Sequence, residues 1–167
     1  MATRALDFIM QVNMSGKDIS DKPVNKLVYA HGHPALLVLI EKVFLNRVAS
    51  ADLSNVSYYD ASEISTKRLC DEISHDVGKK VVIIRNAENI TDDSVVERYD
   101  SKYVSANVHT LFLSTQPPIF TDKARKIFVG LNEEEKKNKV KRSFTGQLID
   151  GSAAHKATYS RFISTVL

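Results

Sequence analysis

The loop His31-Gly32-His33-Pro34 stands where nucleotide-binding α/β proteins carry a phosphate loop. It follows a short apolar run, residues 27–30, and precedes a helix with Pro34 at its start. A phosphate loop needs glycines, so that backbone N–H groups can wrap the phosphates, a Lys for the outer phosphates and a Ser or Thr for Mg²⁺. Residues 31–38, HGHPALLV, offer one glycine, no lysine and no hydroxyl. The sequence therefore predicts a loop of this shape without its nucleotide chemistry.

A second part of the nucleotide chemistry is missing farther along the chain. An Mg²⁺-binding carboxylate is expected after the third strand, residues 81–84, but Arg85-Asn86 follows instead. The three-glycine dinucleotide fingerprint is absent too. We predict that the protein neither binds nor hydrolyses ATP, is not an enzyme and has no resident cofactor or metal.

Other reactive side chains have ordinary explanations. His31 and His33 could ligate a metal, because His-x-His spacing in an extended segment puts both rings on one side. No Cys, Asp or Glu is near in sequence, so we favour a turn with two solvent-facing imidazoles. Ser114-Thr115 ends the fourth strand, where α/β folds place ligand contacts, although turn chemistry also explains this pair. Cys70, on an apolar helix face, is expected to be a core thiol.

Charged residues gather at two places. One is a helix end with Asp71, Glu72, His75 and Asp76, where we favour a solvated terminus over a catalytic carboxylate–histidine pair. The other is basic but interspersed with Asp122 and Glu133–Glu135, and its cations are Lys123, Arg125, Lys126, Lys136, Lys137, Lys139, Lys141 and Arg142. Such a mixed patch is usually a solvated face, and nucleic-acid contact is the alternative. The net charge of +3 is too small to decide for nucleic acid.

Strands alternate with helices along the whole chain. The predicted strands are residues 27–30, 55–60, 81–84, 107–116 and 140–150, and helices precede, separate and follow them. Strict alternation predicts one doubly wound α/β domain, with a mostly parallel sheet and helices on both faces, over residues 1–150. Residues 151–167 are predicted to form a C-terminal helix that could begin a second domain. Residues 131–139 are predicted to be a mobile loop.

Composition favours a globular protein in a reducing compartment. The 167 residues are 43% apolar and 26% charged, and the single cysteine cannot form an internal disulfide. No run approaches the roughly 18 apolar residues of a membrane span. Asp7 interrupts the first apolar stretch, which makes it a poor signal peptide. We expect a cytoplasmic protein with no membrane contact.

From about Phe8 to Gly130 the chain resembles the first domain of the delta subunit of the bacterial DNA polymerase III clamp loader. The matching stretches are ALDFIMQV, KPVNKLVYAHGHPALLVLIEKV, VSYYDASE, KKVVIIRNAENITDD, TLFLSTQPP and TDKARKIFVGL, in that order. The family has Gly-acid-Pro-Leu-Leu after its first strand, and this chain has residues 32–37, GHPALL. The resemblance implies an AAA+-like domain that does not bind ATP. It also implies a replication protein whose partners are the sliding clamp or other clamp-loader subunits.

The resemblance further implies an exposed apolar pair, usually Leu-Phe, that enters a pocket on the clamp. That pair would fall on His75-Asp76, just before the basic Lys79-Lys80, so this chain departs from the pattern. Ile73 and Val77 are the candidates for a shifted anchor. Ile73 continues the spacing of Leu69 and should face the sheet, so Val77 is the better candidate.

Two questions stay open at the level of sequence. The family has two further domains, so this chain is either a fragment of a longer protein or a short natural relative such as a virus-encoded one. Two other functions compete with the replication role. One is a small-ligand or nucleotide enzyme that uses the strand tips His31-Gly32, Arg85-Asn86 and Ser114-Thr115. The other is a nucleic-acid-binding module that uses Lys123, Arg125, Lys126, Lys139, Lys141 and Arg142.

Overall fold

The computed structural model describes residues 3–10, 26–48, 56–75, 81–90, 94–96, 108–119, 122–140 and 146–151. Their elements, in chain order, are β1 (Thr3–Arg4), α1 (Ala5–Met10), β2 (Leu27–His31), α2 (Pro34–Val48), β3 (Val56–Asp60), α3 (Thr66–His75), β4 (Val81–Arg85), a 3-10 turn (Ala87–Asn89), β5 (His109–Ser114), α4 (Asp122–Phe128), α5 (Glu133–Lys137) and β6 (Gln147–Asp150).

A six-stranded parallel sheet organises these elements. Its order is β1-β6-β2-β5-β4-β3, with β2 and β5 in the middle. Side chains of α1 and α2 pack on one face, and side chains of α3, α4 and residues 95–96 pack on the other. The predicted doubly wound α/β fold with helices on both faces is confirmed.

β4 is buried on both faces because its first four residues are all apolar. In β4, Val81 and Ile83 belong to the core under α2, whereas Val82 and Ile84 belong to the core under α3 and α4. Continuous β-branched runs are typical of strands covered on both faces. The sequence prediction for this strand is therefore confirmed.

The adjacent strands β2 and β5 mark the topological switch point of the sheet. The helix after β2 is α2, whose Leu36, Ile40 and Phe44 pack on the first face. The helix after β5 is α4, whose Ile127 and Phe128 pack on the second face. Open α/β sheets bind ligands outside the carboxyl ends of the two strands whose connections diverge in this way. Any ligand site of this fold is expected there.

The prediction of a mobile loop at residues 131–139 is wrong, because this segment contains α5. A capping box starts the helix: the Asn132 side chain accepts the Glu135 N–H at 2.8 Å, and Glu135 Oε1 accepts the Asn132 N–H at 2.9 Å. These two bonds satisfy donors that the first helical turn leaves free. The loop prediction rests on the high charge of this segment. A charged segment still forms a helix when its first turn is capped in this way.

The first and the last strand of the chain differ from the predicted strands. β1 pairs with β6, with Thr3 opposite Ile149, and its two residues are too few to show a periodic pattern in the sequence. The last strand is shorter than predicted among the described residues, since it begins at Gln147. The predicted final helix, residues 152–167, lies outside the described residues.

Candidate functional site

Three polar residues lie side by side at the carboxyl ends of the central strands. His31 of β2 is in register with Ser114 of β5 and with Asp150 of β6. Tyr29, two residues before His31, packs on the α4 face, and residues two apart in a strand share a face. Ser114, His31 and Asp150 therefore form a row on that face, at the switch point. A serine, a histidine and an aspartate are the residue types of a nucleophile, a base and an acid, and their hydrogen bonds decide whether the row could do such chemistry.

His31 is a buried histidine rather than a solvent-facing one, so the prediction for this ring is wrong. Its exposed fraction is 6%, and its Nε2 lies 3.4 Å from Asp150 Oδ1. Burial lowers the pKa of His31, and the Asp150 carboxylate opposes that shift more weakly. Sequence inspection found no acid near the histidine because Asp150 reaches it only through the pairing of β2 with β6. Within the described segments, no group of His, Cys, Asp and Glu side chains is suited to hold a metal ion.

The Ser114 hydroxyl is engaged in a turn. It donates to the Gln116 carbonyl at 2.8 Å and accepts the Gln116 N–H at 3.1 Å. Its side chain also hydrogen-bonds the Tyr29 phenol, whose pKa is raised, chiefly by burial. No hydrogen bond joins Ser114 to His31 in the part of the chain that the structure describes. A serine nucleophile needs that bond for activation, so the row lacks the first requirement of acyl-transfer chemistry. Turn chemistry accounts for Ser114.

The loop after β2 uses its backbone donors within the protein. The Gly32 N–H donates to the Ser114 carbonyl at 3.0 Å, and the Ala35 N–H donates to His33 Nδ1 at 3.1 Å. Pro34, between them, has no N–H. His33 itself is exposed, as predicted. A phosphate at a helix start is held by free N–H groups of this kind. Here the Gly32 and Ala35 N–H groups are used by internal hydrogen bonds, and Pro34 has none to offer.

The same loop is packed against the end of the last strand. The Gly151 N–H donates to the His31 carbonyl at 2.9 Å. A Cβ atom on Gly151 would overlap that carbonyl oxygen, and a Cβ atom on Gly32 would lie 3.0 Å from the Gly151 oxygen. The backbone of Gly151 therefore packs directly against the loop after β2, with no room for a side chain at position 151.

The end of β4 holds a cation where a nucleotide enzyme would hold a metal-binding acid. Arg85 makes a two-pronged ion pair with Glu41 of α2, at 3.0 and 2.9 Å, and its guanidinium lies 4.8 Å from the centre of the Tyr58 ring. The next residue, Asn86, has a left-handed backbone (φ 57°) and donates to Asp60 Oδ1 at 2.8 Å. Both strand-end side chains thus serve contacts between neighbouring elements.

A carboxylate beyond β4 faces the end of β5. Glu88 Oε1 accepts the Thr115 hydroxyl at 2.9 Å, and the other oxygen of Glu88 is buried without a hydrogen-bond partner among the described residues. This contact fixes the turn after β5 to the turn after β4. It does not extend to His31, which contacts Asp150.

The late basic patch is largely neutralised where the structure describes it. Arg125 bonds both oxygens of Glu135 at 2.7 and 2.8 Å and also reaches Asp122 at 3.2 Å. Lys126 lies 3.0 Å from Asp122 and 3.4 Å from Glu135. Hydrogen bonds with these carboxylates raise the pKa values of Arg125 and Lys126. Lys139 is exposed, while the Lys123 side chain, Lys141 and Arg142 lie outside the described residues.

Of the three predicted partner-binding residues, one is buried, and the side chains of the other two lie outside the described residues. Ile73 is 3% exposed and packs with Leu69 under the sheet, so it is a core residue and not an exposed anchor. Val77 and the side chain of His75 lie outside the described residues. Cys70 is buried, and the prediction of a core thiol is confirmed.

Comparisons with known proteins add no identification. No protein-family model matches the chain, and no curated protein matches it significantly. Among the helices that the structure describes, none has the length and apolar character needed to cross a membrane.

Proposed function

We propose that this protein is a DNA-replication accessory protein, similar to a clamp-loader delta subunit, that binds a sliding clamp or another clamp-loader subunit without chemistry of its own. The observation that carries the proposal is the chemistry of the loop after β2, at the switch point where such folds bind ligands. Its residues 31–38 offer one glycine, no lysine and no hydroxyl, Pro34 has no N–H, and the Ala35 N–H donates to His33. A domain of this layout without those phosphate-binding groups retains its surfaces for binding other proteins.

The position of β2 supports an AAA+-like interpretation of the sheet. β2 lies between β5 and β6 at the centre. In AAA+-like domains the strand before the phosphate loop is central in the same way. At the start of α2, which follows this strand and its loop, the Ala35 N–H donates to the His33 side chain and Pro34 has no N–H to donate. The geometry thus agrees with an ATPase layout that has no nucleotide chemistry, which is what the resemblance implies.

A small-ligand enzyme is the second candidate, and the buried pair His31–Asp150 favours it. A histidine held by a carboxylate at a strand end is a common general base. Its other neighbour in register, Ser114, is committed to Gln116 and Tyr29. We therefore rank this function below the first.

Two measurements test the proposal. Calorimetric titration of ATP with Mg²⁺ should give no heat of binding, because residues 31–38 contain no lysine and no hydroxyl. Titration with purified sliding clamp and with purified clamp-loader subunits should give a saturable isotherm for at least one of them. Mg²⁺-dependent ATP binding in the micromolar range would favour the enzyme instead.

A further inference from the structure

α5 is a helix that no buried side chain of its own fastens to the protein. None of its residues, Glu133–Lys137, is buried, and Leu131 and Val140, which flank it, are each only partly buried. A helix of five residues is too short to form stably by itself. Most surface helices are held by an apolar face that packs on the core. A different kind of contact therefore keeps α5 in place.

Glu135 supplies that contact, because its side chain reaches from α5 to two cations of α4. Its carboxylate accepts two hydrogen bonds from Arg125 Nη2, at 2.7 and 2.8 Å, and lies 3.4 Å from Lys126 Nζ. Arg125 also donates to the Gly130 carbonyl, in the connection between the two helices, at 3.1 Å. The side chains of α5 and α4 are thus joined by opposite charges.

An anion from outside the protein can compete with Glu135 for these cations. The side chains of Arg125 and Lys126 are 30% and 26% exposed, and that of Glu135 is 14% exposed. Ion pairs so close to solvent are weak, because water and dissolved ions screen them. A phosphate group binds arginine through two parallel hydrogen bonds, as a carboxylate does, and carries three acceptor oxygens. It can therefore take the place that Glu135 holds.

The charges around this contact favour an anion with many phosphates. Residues 122–139 contain six basic and four acidic side chains. Duplex DNA presents phosphates at short, regular intervals, and a protein binds it by neutralising several of them at once. With Glu135 displaced, both cations of α4 become available to DNA together with the exposed lysines on and just after α5, which are Lys136, Lys137 and Lys139.

We propose that α5 is an autoinhibitory cover, in which Glu135 occupies the Arg125–Lys126 pair as an internal anion until the phosphate backbone of DNA displaces it. The inference rests on the proposed function in one respect, since a replication role supplies DNA as the polyanion. It goes beyond that function because it assigns both a DNA contact and the element that limits it. In the covered protein the two cations are neutralised, so the wild-type chain binds DNA weakly.

The test measures the affinity of the variants for a short, labelled DNA duplex by fluorescence anisotropy, at a series of salt concentrations from about 50 mM upward. Glu135→Gln should bind DNA about tenfold more tightly than wild type, which corresponds to one hydrogen bond to a charged group. The slope of log K against log salt should steepen by about one for each cation released. The matched control is Glu133→Gln, which removes an exposed acid of the same helix that pairs with Lys136.

A second set of variants asks whether the gain acts through the covered cations. In a chain that already carries Arg125→Gln and Lys126→Gln, adding Glu135→Gln should strengthen DNA binding no more than adding Glu133→Gln does. Asp122→Asn removes the other carboxylate of the contact, which lies 3.2 Å from Arg125 and 3.0 Å from Lys126. It should also strengthen DNA binding, and it leaves the cap of α5 intact. Melting curves establish that each variant is folded.

Three results would overturn the cover. One is equal DNA affinity of Glu135→Gln and Glu133→Gln, which would make the effect one of net charge alone. Another is a gain from Glu135→Gln that persists in full without both cations. The third is stronger adsorption of Glu135→Gln to anionic phospholipid vesicles while its DNA affinity is unchanged. None of these results alters binding to the purified clamp or clamp-loader subunits, so the proposed function is judged separately, by its own isotherms.

Discussion

Gly32 and Ser114 are joined across the carboxyl ends of β2 and β5 by a backbone hydrogen bond of 3.0 Å. This bond lies at the place where the connections of neighbouring strands diverge to opposite faces. In ligand-binding α/β proteins that place is an open crevice. Farther into the loop, the Ala35 N–H donates to His33 Nδ1 and Pro34 has no N–H. The turn after β2 is thus held to β5 by main chain and to the start of α2 by the His33 side chain.

Alanine at either glycine of this junction should destabilise the fold. Gly32 has φ +150°, which side chains other than glycine rarely adopt, and a Cβ atom on Gly151 would overlap the His31 carbonyl oxygen. We expect Gly32→Ala and Gly151→Ala each to lower the free energy of unfolding by about 1–3 kcal/mol, with Gly151→Ala the more severe because its Cβ atom would come closer to a backbone oxygen than that of Gly32→Ala. Chemical denaturation measures both. Wild-type stability in Gly151→Ala would mean that the junction is loosely packed.

The free energy of unfolding should decrease as the pH falls below the pKa of an ordinary histidine. Burial lowers the pKa of His31 from 6.5, with weaker opposition from Asp150, and burial and Lys26 lower the pKa of His109. As the pH falls, these histidines therefore take up protons in the unfolded chain before they do so in the folded protein. The stability that the neutral histidines contribute is fully present above about pH 6.5 and is lost as the pH falls through their folded-state pKa.

Melting temperatures at several pH values test this. We expect a fall between about pH 7.5 and about pH 5, and a shallower fall in His31→Gln, which among the described histidines leaves His109 to titrate in this way. The variant His109→Gln serves as the reciprocal control. A melting temperature that stays level or rises over that range in the wild-type protein would mean that His31 is not buried in its neutral form.

Glu135 should matter for both stability and nucleic-acid binding. It caps α5 through Asn132 and holds Arg125 and Lys126, so Glu135→Ala should lower the melting temperature more than Glu135→Gln, which keeps a capping oxygen. Either change frees cations. Any weak DNA association at about 50 mM salt should therefore strengthen in Glu135→Gln and should fall steeply with added salt. The exposed Glu134 provides the control, Glu134→Gln, for loss of charge alone.

The opposite result is informative about the basic patch. If Arg125→Ala abolishes DNA binding without affecting the melting temperature, Arg125 binds phosphate and its pairing with Glu135 is incidental. The patch would then be an interface with nucleic acid rather than a solvated, internally neutralised face.

The core under α3 offers a direct check of burial. Cys70 and Ile73 are 2% and 3% exposed, so the thiol should not react with a disulfide reagent until the protein unfolds. Ile73→Asp would bury an unpaired carboxylate and should prevent folding at room temperature. Thiol titration in native and denaturing buffer measures the first, and circular dichroism the second. Rapid native reaction of Cys70 would place this helix away from the sheet.

Local chemistry in the sequence predicted most of the sheet but little of its carboxyl edge. The run VVII predicts the strand β4, and Pro34 predicts the start of α2. Both predictions succeed because apolar β-branched residues and the fixed proline torsion act locally. The row Ser114–His31–Asp150 depends on which strands become neighbours. Asp150 is far from His31 in sequence, and nothing local marks their pairing.

The errors had two separate causes. Charge density suggested a loop at residues 131–139, although the Asn132–Glu135 capping box was visible in the sequence and is a helix start signal. The sequence predicts a solvent-facing His31 because a histidine next to a glycine is typical of a turn. The structure extends β2 by one residue to include it, and the partner that makes its burial tolerable comes from β6.

The measurement that tests the central claim most directly is the binding isotherm of this protein with purified sliding clamp and clamp-loader subunits, recorded with and without Mg²⁺ and ATP. The account predicts saturable binding to at least one of these proteins, with the same Kd in both conditions, because the loop after β2 has no lysine and no hydroxyl with which to bind ATP and Mg²⁺. Binding to none of them, or binding that appears only with ATP, would contradict it.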